Sequence, residues 1–410
     1  MGKCRFCGNE LKYTFADLGT TPLANSYVPM DKAESGEMTY PLHLYVCDRC
    51  FLVQMKEMET PEHLFENYAY FSSYSTTWLE HAAHYVDFMM DHYEVDKNTQ
   101  VIEIASNDGY LLQYFKNRGV PVLGIEPAEN VADVAEKERG IPTIREFFGA
   151  ELAMNLRRKG TSADLLLAHN VLQHVPDIND FVEGLSILLH EKGIMTLQFH
   201  YLLSMIQKNE FDTIYHEHFS YLSLTTVQKI LSAHGLYVFD AREFPEHGGS
   251  IRIFACHEKN KKYHETENVS RILDKEYRAG LQQIPTYLDF SNRASEIKRD
   301  LLELLIGLKR EGKKIAAYGA AAKGNTLLNY CGIRQDFIDY VADRSPHKQG
   351  TLLPGSRIPV CSPEAIEDSK PDYLLILPWN LKEEIMGQLD RSKEWGMKYI
   401  IPIPKVTILE

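Results

Sequence analysis

Residues 101–115 read VIEIASNDGYLLQYF: an apolar run, a turn of small and polar residues, and an amphipathic segment. This order predicts a buried strand, a tight turn at residues 106–109 and a helix. A strand, turn and helix of this kind bring backbone amides close to a ligand at the carboxyl edge of a parallel sheet. The stretch therefore predicts an α/β fold with a binding site at that edge.

Further apolar runs follow this unit and alternate with amphipathic segments. They are VLGIE (122–126), LLLAHNV (165–171) and GIMTLQF (193–199). Strands that alternate with helices at this spacing predict a doubly wound parallel sheet. Two later runs, residues 237–244 and 249–257, fit an antiparallel pair that closes one edge of the sheet.

A second α/β unit is predicted near the C-terminus from strand-like runs at 313–319, 337–343 and 373–379. The two units are too dissimilar in sequence to indicate a repeat. We expect three domains. They are a zinc-binding module at 1–75, a central doubly wound domain at 76–280 and a C-terminal Rossmann-like α/β domain at 281–410.

Length and composition limit the class of protein. The chain has 410 residues, of which 44% are hydrophobic and 25% charged, as in globular proteins of more than one domain. Its net charge of −13 argues against a large nucleic-acid footprint, which requires clustered lysine and arginine. No apolar run reaches the roughly 20 residues that span a bilayer, and the first residues lack a secretory segment. We expect a cytoplasmic monomer that binds neither nucleic acid nor membranes.

Four of the seven cysteines form two CxxC pairs, Cys4 with Cys7 and Cys47 with Cys50. Each CxxC turn presents two sulfurs to one tetrahedral ion, so the spacing predicts a four-thiolate zinc site. Disulfide pairing is the alternative, which a cytoplasmic location disfavours. Because four thiolates leave no open coordination position, the zinc is predicted to be structural.

The turn at residues 106–109 indicates which cofactor the central sheet binds. Dinucleotide-binding loops carry three glycines for the pyrophosphate, whereas this turn has only Gly109. With Glu103 inside the preceding strand, the site suits a cationic, phosphate-free ligand such as S-adenosylmethionine better than NAD. Glu126 is expected to bind the ribose hydroxyls. The other expected contacts are Ala105, Ser106, Asn107 and Asp108 in the turn, and His169 and Asn170 near the adenine or methionyl group.

Tyr215, His216, Glu217 and His218 form a run of polar side chains among apolar and aromatic neighbours. Low-dielectric surroundings are where a histidine or glutamate can be tuned for general acid–base chemistry. The alternative is a satisfied histidine pair beside a structural carboxylate. The position of the run after the cofactor sheet favours proton chemistry.

Two further polar strings contain glycines that would allow a ligand to approach the backbone. The first is His247, Gly248, Gly249, Ser250 and Arg252; a hairpin bend explains its glycines but not its histidine and arginine. The second follows a strand and opens a helix, so that its amides and a lysine could hold a diphosphate. A small-residue packing turn is the alternative there. Its expected contacts are Tyr318, Lys323, Gly324, Asn325 and Thr326.

These elements occur in the same order in a known family. The CxxC pairs, ExxSNDG, HNVLQHVPD, YHEH, EHGGSIR and YGAAAKGNT resemble the C-methyltransferases that methylate C-3′ of dTDP-linked 4-keto-deoxysugars, as in tetronitrose-type antibiotic sugars. The resemblance covers essentially the whole chain. It implies an N-terminal zinc domain, a central S-adenosylmethionine domain and a C-terminal α/β domain, with the active site in the cleft between them.

The resemblance also implies residue roles. His218 would be the base that removes the C-3′ hydrogen, which the 4-ketone acidifies. A neutral imidazole, with an unperturbed pKa near 6.5, suits that role. Glu217 would bind a substrate hydroxyl or orient the base, and Tyr215 would hydrogen-bond near the sugar. His216 has no assigned role.

Two more side chains are expected at the reacting centre. His174 matches a family histidine that would stabilise the developing oxyanion, although packing of a helix-start histidine is the alternative. Tyr70 is our choice among the tyrosines of residues 67–78, where Tyr68 and Tyr74 compete.

Two other functions compete with this one. A methyltransferase could act on nucleic acid or another small molecule, with the zinc module as an RNA clamp, but the acidic charge disfavours nucleic acid. A zinc-stabilised binding module that only holds nucleotide would not explain the ionisable residues at 215–218. We therefore favour C-methylation of a nucleotide-linked keto-sugar.

Overall fold

The computed structural model describes residues 2–60 and 71–410, except the side chain of His247. Its strands, in chain order, are β1 Tyr13–Thr21, β2 Val28–Pro29, β3 Tyr40–Val46, β4 Val53–Met55, β5 Val101–Ile104, β6 Val122–Ile125, β7 Thr143–Ile144, β8 Ala163–His169, β9 Leu189–His200, β10 Ser220–Tyr221, β11 Leu236–Phe244, β12 Ser250–His257, β13 Ile315–Tyr318, β14 Val341–Ala342, β15 Thr351–Leu352, β16 Val360–Cys361, β17 Tyr373–Ile376, β18 Lys398–Ile401 and β19 Thr407–Leu409.

The α-helices of the described residues are α1 Thr76–Tyr93, α2 Leu112–Asn117, α3 Glu129–Lys137, α4 Ala150–Arg158, α5 Ile178–Leu188, α6 Leu202–Lys208, α7 Leu224–Ala233, α8 Glu267–Arg278, α9 Ile284–Leu288, α10 Phe290–Arg310, α11 Ala322–Cys331, α12 Glu364–Ser369 and α13 Lys382–Gln388. None of the helices in this part of the chain is long and apolar enough to cross a membrane.

The chain divides into two compact units, each assembled from separate stretches of sequence. Unit 1 consists of Met1–Lys12, Val46–Leu203 and Glu217–Gln282. Unit 2 consists of Tyr13–Tyr45, Ser204–His216 and Gln283–Glu410. One division falls inside the polar run at 215–218, whose first two residues belong to unit 2 and whose last two belong to unit 1.

Unit 1 contains a seven-stranded sheet in the order β11-β12-β9-β8-β5-β6-β7. Strands β5 to β9 are parallel, and β12 is antiparallel to both β9 and β11. The chain leaves β5 toward β6 and returns on its other side at β8, which is where ligands bind in such sheets. The predicted doubly wound sheet with an antiparallel edge pair is confirmed.

Helix α1 covers one face of this sheet. It begins after Ser75, whose hydroxyl accepts a hydrogen bond from the Trp78 amide, as an N-cap serine does. Its apolar side, including Trp78, Tyr85 and Met89, packs on buried residues of β5, β8 and β12. This packing brings the first turns of α1 to the face that carries the polar residues described below.

Unit 2 contains a six-stranded sheet in the order β16-β14-β13-β17-β18-β19, with all strands parallel except β19. Phe15 of β1 stacks on Phe290 of α10 with ring centroids 4.5 Å apart. The apolar run at 337–343 forms a strand only at Val341–Ala342, because the amides of Phe337 and Ile338 close a turn on the Arg334 carbonyl. When the strands are numbered in chain order within each sheet, both sheets place their first five parallel strands in the order third, second, first, fourth, fifth.

Candidate active site

The four predicted zinc ligands converge in unit 1. The Sγ atoms of Cys4 and Cys50 are 3.5 Å apart, those of Cys7 and Cys47 are 3.6 Å apart, and all four lie within 4.8 Å of one another. Zinc–sulfur bonds of about 2.3 Å in a tetrahedron require sulfurs about 3.8 Å apart, so the cluster fits zinc. Gln54 Nε2 lies 3.1 Å from Cys4 Sγ and donates to it, which orients this ligand.

The loop after β5 has a distinctive backbone shape. Ala105, Asn107 and Gly109 have φ angles of 54°, 51° and 75°, in the left-handed region that favours glycine. Asparagine tolerates this region, whereas an alanine there costs about 1–2 kcal/mol. The loop therefore has the backbone of a glycine-rich binding loop although only one of the three positions is glycine.

Hydrogen bonds from two directions hold this loop. The Glu126 carboxylate, after β6, accepts from the amides of Asn107 and Ala128, each at 2.9 Å. The Asn107 side chain accepts from the Ser72 amide at 2.9 Å, and Asp108 Oδ2 accepts from the Ser73 amide at 3.3 Å. Each carboxylate oxygen of Glu126 keeps a second lone pair for the ribose hydroxyls that we predicted it to bind.

Carboxylates without counter-charges line the same edge of the sheet. Glu103 is 1% exposed, and neither of its carboxylate oxygens has a hydrogen-bond partner among the described residues. Burial, together with Asp108 and Glu126, holds the pKa of Glu103 well above its usual value. Burial likewise raises the pKa of Glu126 to about 7. Buried carboxylates of this kind fit a cationic ligand, and the sulfonium and ammonium groups of S-adenosylmethionine are such cations.

The end of β8 lies two strands from β6 on the same edge. His169 Nε2 is 2.9 Å from Thr196 Oγ1, which also lies 2.8 Å from the Tyr85 hydroxyl. Burial, together with the nearby Arg252 and His81, lowers the pKa of His169 well below its usual value, so the imidazole is neutral. The following residue, Asn170, has φ +55°, and its amide donates to the Gln198 carbonyl at 2.7 Å.

His174 and His218 lie against each other in unit 1. Their ring centroids are 4.8 Å apart at an interplanar angle of 64°, and His218 is 7% exposed. His174 Nδ1 is 2.8 Å from the Glu217 carbonyl oxygen and must donate to it, since a carbonyl only accepts. Burial lowers the pKa of His174 to about 4, so its other nitrogen, Nε2, carries no proton at neutral pH.

The backbone on both sides of His218 is anchored. The Glu217 carbonyl, in the peptide group that precedes His218, is held by His174. The Phe219 carbonyl accepts from the Met55 amide at 3.0 Å, where β10 begins to pair with β4. Arg5, next to the first zinc ligand, lies over the Phe219 ring. The zinc cluster thus supports the segment that carries His218.

The first half of the 215–218 run belongs to unit 2. His216 is 3% exposed, packs edge-on against Tyr40 and lies 3.3 Å from the Pro41 carbonyl through Nε2. Burial lowers its pKa, and these contacts are those of a packing residue. Tyr215 is partly buried. Tyr70 lies outside the described residues.

The string at 247–252 begins in the bend between β11 and β12 and ends inside β12. Gly248 and Gly249 have φ angles of 97° and 146°, and Ser250 pairs with Phe244 across the hairpin. The bend accounts for both glycines. Arg252 is different: it is buried, and its guanidinium bonds to Gln198 and His81 on the same face of the sheet. The side chain of His247 lies outside the described part of the structure.

The predicted diphosphate loop lies in unit 2, between Tyr318 and α11. A Cβ on Gly319 would lie 2.4 Å from Pro378 Cδ, and one on Gly324 would lie 2.8 Å from Leu377 Cδ1, so packing requires both glycines. Asn325 donates to the Ala24 carbonyl at 2.6 Å and Thr326 to the Ile214 carbonyl at 2.7 Å. These two side chains therefore hold the protein's own backbone.

Cations flank the same loop. Lys323 lies on the first turn of α11, with its ammonium 5.8 Å from the centroid of the Trp379 ring. Lys348 Nζ donates to the Ala320 carbonyl at 2.7 Å. No sequence pattern predicts a role for Lys348, because it lies in an irregular segment. None singles out His81 and Gln198 either, which lie in a helix and a strand.

Comparison with known proteins now places the chain. Family models match a zinc-binding domain at residues 4–65, a methyltransferase domain at 76–241 and a C-methyltransferase C-terminal domain at 245–404. These matches and the site define a methyltransferase that uses S-adenosylmethionine and carries a structural zinc site, as predicted. The C-methyltransferase NovU of Streptomyces niveus is 35% identical over 408 residues, which are 99% of this chain and 96% of NovU. The chain belongs to this family of C-methyltransferases.

Other relatives match only part of the chain. The ubiquinone biosynthesis O-methyltransferase of Bartonella quintana is 25% identical over 99 residues, 24% of this chain and 40% of that enzyme. Magnesium protoporphyrin IX methyltransferase of Synechocystis, solved with bound S-adenosylmethionine, is 14% identical, with a TM-score of 0.34 over 44% of this chain and 79% of that one.

Proposed function

We propose that this enzyme methylates C-3′ of a dTDP-linked 4-keto-6-deoxysugar, or of its 2,6-dideoxy counterpart, through a base-generated enolate in branched deoxysugar biosynthesis. The observation that carries the proposal is the buried His174–His218 pair in the unit that also holds the acidic cofactor edge. A carbon next to a ketone is the acceptor that such a base can activate for C-methylation.

His218 is the proposed base. The C-3′–H bond breaks, the proton passes to an imidazole nitrogen of His218, and the electron pair is delocalised onto the 4-keto oxygen. S-adenosylmethionine, when bound, supplies a methyl group on a sulfonium sulfur, which is an electrophile with a neutral thioether as leaving group. The electron pair then forms the new C–C bond at C-3′, and His218 returns its proton to solvent.

The contacts of His174 favour a role other than the stabilisation of an oxyanion that the resemblance implies. Its Nδ1 proton is committed to the Glu217 carbonyl, and burial keeps Nε2 unprotonated at neutral pH. We propose that His174 positions His218 by fixing the peptide group between Glu217 and His218. It would stabilise an oxyanion only after taking up a proton. Glu217 and Tyr215 remain the proposed substrate contacts, and Tyr70 the proposed third contact.

The cofactor contacts proposed for unit 1 follow from its acidic edge. Glu103 and Glu126 would bind the cationic methionyl part and the ribose, and the backbone of the loop at 105–109 would follow the nucleoside. His169 and Asn170 would close the site at the end of β8. These residues share one edge of one sheet, which supports a single ligand across them.

The nucleotide part of the substrate is proposed to bind the unit 2 loop. Lys323 and Lys348 flank this loop, and the loop leads into the N-terminus of α11, an end of a helix that favours anions. A diphosphate is an anion that suits such surroundings. We further propose a monomer in the cytoplasm, where reducing conditions keep the four zinc ligands as thiolates.

Incubation with methyl-labelled S-adenosylmethionine and a panel of nucleotide-linked sugars tests the proposal. Label should enter only sugars with a 4-ketone, and only as a new carbon–carbon bond at C-3′. The same sugars in deuterated buffer, with S-adenosylhomocysteine in place of the methyl donor, should exchange hydrogen at C-3′. Transfer to an oxygen, or to sugars without the ketone, would contradict the enolate route.

A further inference from the structure

Arg252 is a buried cation on the face of the unit 1 sheet that α1 covers. It is 3% exposed, and its guanidinium lies 4.3 Å from the centroid of the Tyr85 ring and 4.6 Å from that of the Phe244 ring. Among the described residues, no carboxylate lies within 4.0 Å of it. Burying a guanidinium without a paired carboxylate costs free energy. A buried cation of this kind is therefore a candidate binding site for an anion.

Its protein hydrogen bonds use only part of the guanidinium. Nε and Nη2 donate to Gln198 Oε1 at 2.9 Å and 2.6 Å, and Nη2 also lies 2.7 Å from His81 Nε2. His81 Nδ1 is 2.9 Å from Glu246 Oε1. Since arginine only donates, His81 Nε2 accepts and Nδ1 donates to Glu246. Nη1 makes no hydrogen bond within the described residues, so one arm of the guanidinium is available.

Two chains of contact connect Arg252 to the cofactor edge. In one, His81 stacks on Trp78, and Trp78 stacks on Tyr110, the residue after Gly109. In the other, the Tyr85 ring under the guanidinium meets His169 edge-on at 4.9 Å. Arg252 is therefore connected through ring contacts to the loop at 105–109 and to the end of β8, the two places where the cofactor is proposed to bind.

The carboxylates of that edge cannot bind the carboxylate group of S-adenosylmethionine, which therefore needs a cation. Glu103, Asp108 and Glu126 suit the sulfonium and ammonium groups of S-adenosylmethionine, but they repel its carboxylate. Arg139 also lies near the loop, yet it pairs with Asp108 at 3.7 Å. Arg252 is a buried guanidinium nearby that has no carboxylate within 4.0 Å among the described residues.

We propose that Arg252, held by Gln198 and His81, binds the α-carboxylate of S-adenosylmethionine. The proposal rests on the cofactor site proposed above and departs from the substrate contact that the sequence predicts for Arg252. Glu103 and Arg252 then recognise opposite charges of the same amino-acid group. A phosphate of the nucleotide sugar has related anionic chemistry, and the experiment separates the two sources.

The test measures binding by titration calorimetry on the full-length, zinc-loaded protein without sugar. The ligands are S-adenosylhomocysteine, its decarboxylated analogue, which keeps the amine, and thymidine diphosphate. Wild-type protein should prefer S-adenosylhomocysteine over the analogue by about 10- to 100-fold, as expected for a charged hydrogen bond. In Arg252→Gln this preference should fall to within about 3-fold, because the variant loses affinity only for the carboxylate-bearing ligand.

Arg242→Gln is the matched control. Arg242, on β11 of the same sheet, also lies over an aromatic ring, 4.2 Å from the centroid of Phe88 in α1, but it pairs with Asp240 at 3.1 Å. Its loss should leave the preference unchanged. If Arg252→Gln does not fold, Arg252→Lys keeps the charge and should retain part of the preference, and the wild-type preference alone still tests the carboxylate contact.

Three results would overturn the proposal. Wild-type protein could bind both S-adenosyl ligands equally. Arg252→Gln could weaken both by the same factor, which marks a structural arginine. Arg252→Gln could instead lose affinity for thymidine diphosphate, which would assign the bound anion to the sugar nucleotide. None of these measurements involves methyl transfer, so failure of the proposed reaction would show separately, in the sugar panel.

Discussion

Two loops occupy equivalent places in two sheets with the same order of parallel strands. The loop at 105–109 follows β5 in unit 1, and the loop at 319–324 follows β13 in unit 2. The first contains three left-handed residues and the second contains one, Gly319, and both lead into a helix. The first lies among the buried carboxylates of Glu103 and Glu126, whereas Lys323 and Lys348 flank the second.

The difference shows that backbone shape and charge carry separate information. The left-handed turns bring main-chain amides to the carboxyl edge of each sheet, and in both cases this predicts a ligand there. The side chains around the turn then select its charge. A cationic methyl donor suits the acidic loop of unit 1, and a diphosphate suits the basic loop of unit 2.

Replacing His218 should have the largest effect, because it removes the chemistry and leaves both loops intact. In His218→Asn we expect kcat to fall by about 10²- to 10⁴-fold, the contribution of a positioned general base. Affinities for S-adenosylhomocysteine and thymidine diphosphate, measured by calorimetry, should stay within about 3-fold. His216→Gln is the control, since His216 packs on Tyr40 and Pro41. Wild-type turnover in His218→Asn would remove its assignment as base.

Neutralising the acidic loop should have the next largest effect. In Glu103→Gln we expect affinity for S-adenosylmethionine to fall by about 10- to 100-fold, because a charge-assisted hydrogen bond is lost. Affinity for thymidine diphosphate should not change. Equal losses for the two ligands would mean that Glu103 stabilises the fold and does not select the cation.

The sequence predicted the charges of these loops better than their geometry. Zinc spacing, strand alternation and the string of catalytic candidates are local patterns, and the corresponding family, fold class and cofactors are confirmed. A count of glycines in the first loop missed its left-handed shape, since Ala105 and Asn107 adopt it without being glycine. The strand order that the two sheets share was also not predicted from the sequence, because topology depends on which strands pair and not on the residues within each strand.

The residues that the sequence missed are those whose partners are distant along the chain. His81 meets Arg252 171 residues away, and Lys348 meets the Ala320 carbonyl from an irregular segment. Asn325 and Thr326 belong to the motif that was predicted to hold a diphosphate, yet their side chains donate hydrogen bonds to the carbonyls of Ala24 and Ile214. A single sequence contains the donors and acceptors but not these pairings.

Removing a cation from the basic loop should weaken binding of the diphosphate and leave binding of the cofactor unchanged. The effect should be smaller than that of Glu103→Gln. In Lys323→Met we expect the dissociation constant for thymidine diphosphate and the KM for the nucleotide sugar to rise by about 10-fold, with S-adenosylhomocysteine unaffected. Lys313→Met is the matched control. Lys313 precedes the start of β13, at the end of the strand away from the loop, and lies near Asp372. If both variants behave alike, the loop has no special role in diphosphate binding.

The smallest effect concerns stability and pH. Burial raises the pKa of Glu126 from 4.5 to about 7, so between these values the folded protein keeps a proton that the unfolded chain has lost. Raising the pH through this window should therefore lower the free energy of unfolding, by at most about 3 kcal/mol at 1.36 kcal/mol per pKa unit. Glu126→Gln should show a shallower decline of Tm from pH 5 to pH 8 in calorimetry.

The decline should persist in part in Glu126→Gln, because burial also raises the pKa values of Glu103 and Asp212. Ligands then distinguish the two loops in the wild-type protein. S-adenosylmethionine supplies positive charge to the acidic edge and should flatten the decline by stabilising the ionised carboxylates, whereas thymidine diphosphate should shift Tm without changing its slope. Identical slopes with and without S-adenosylmethionine would show that the carboxylates of unit 1 do not face the cation.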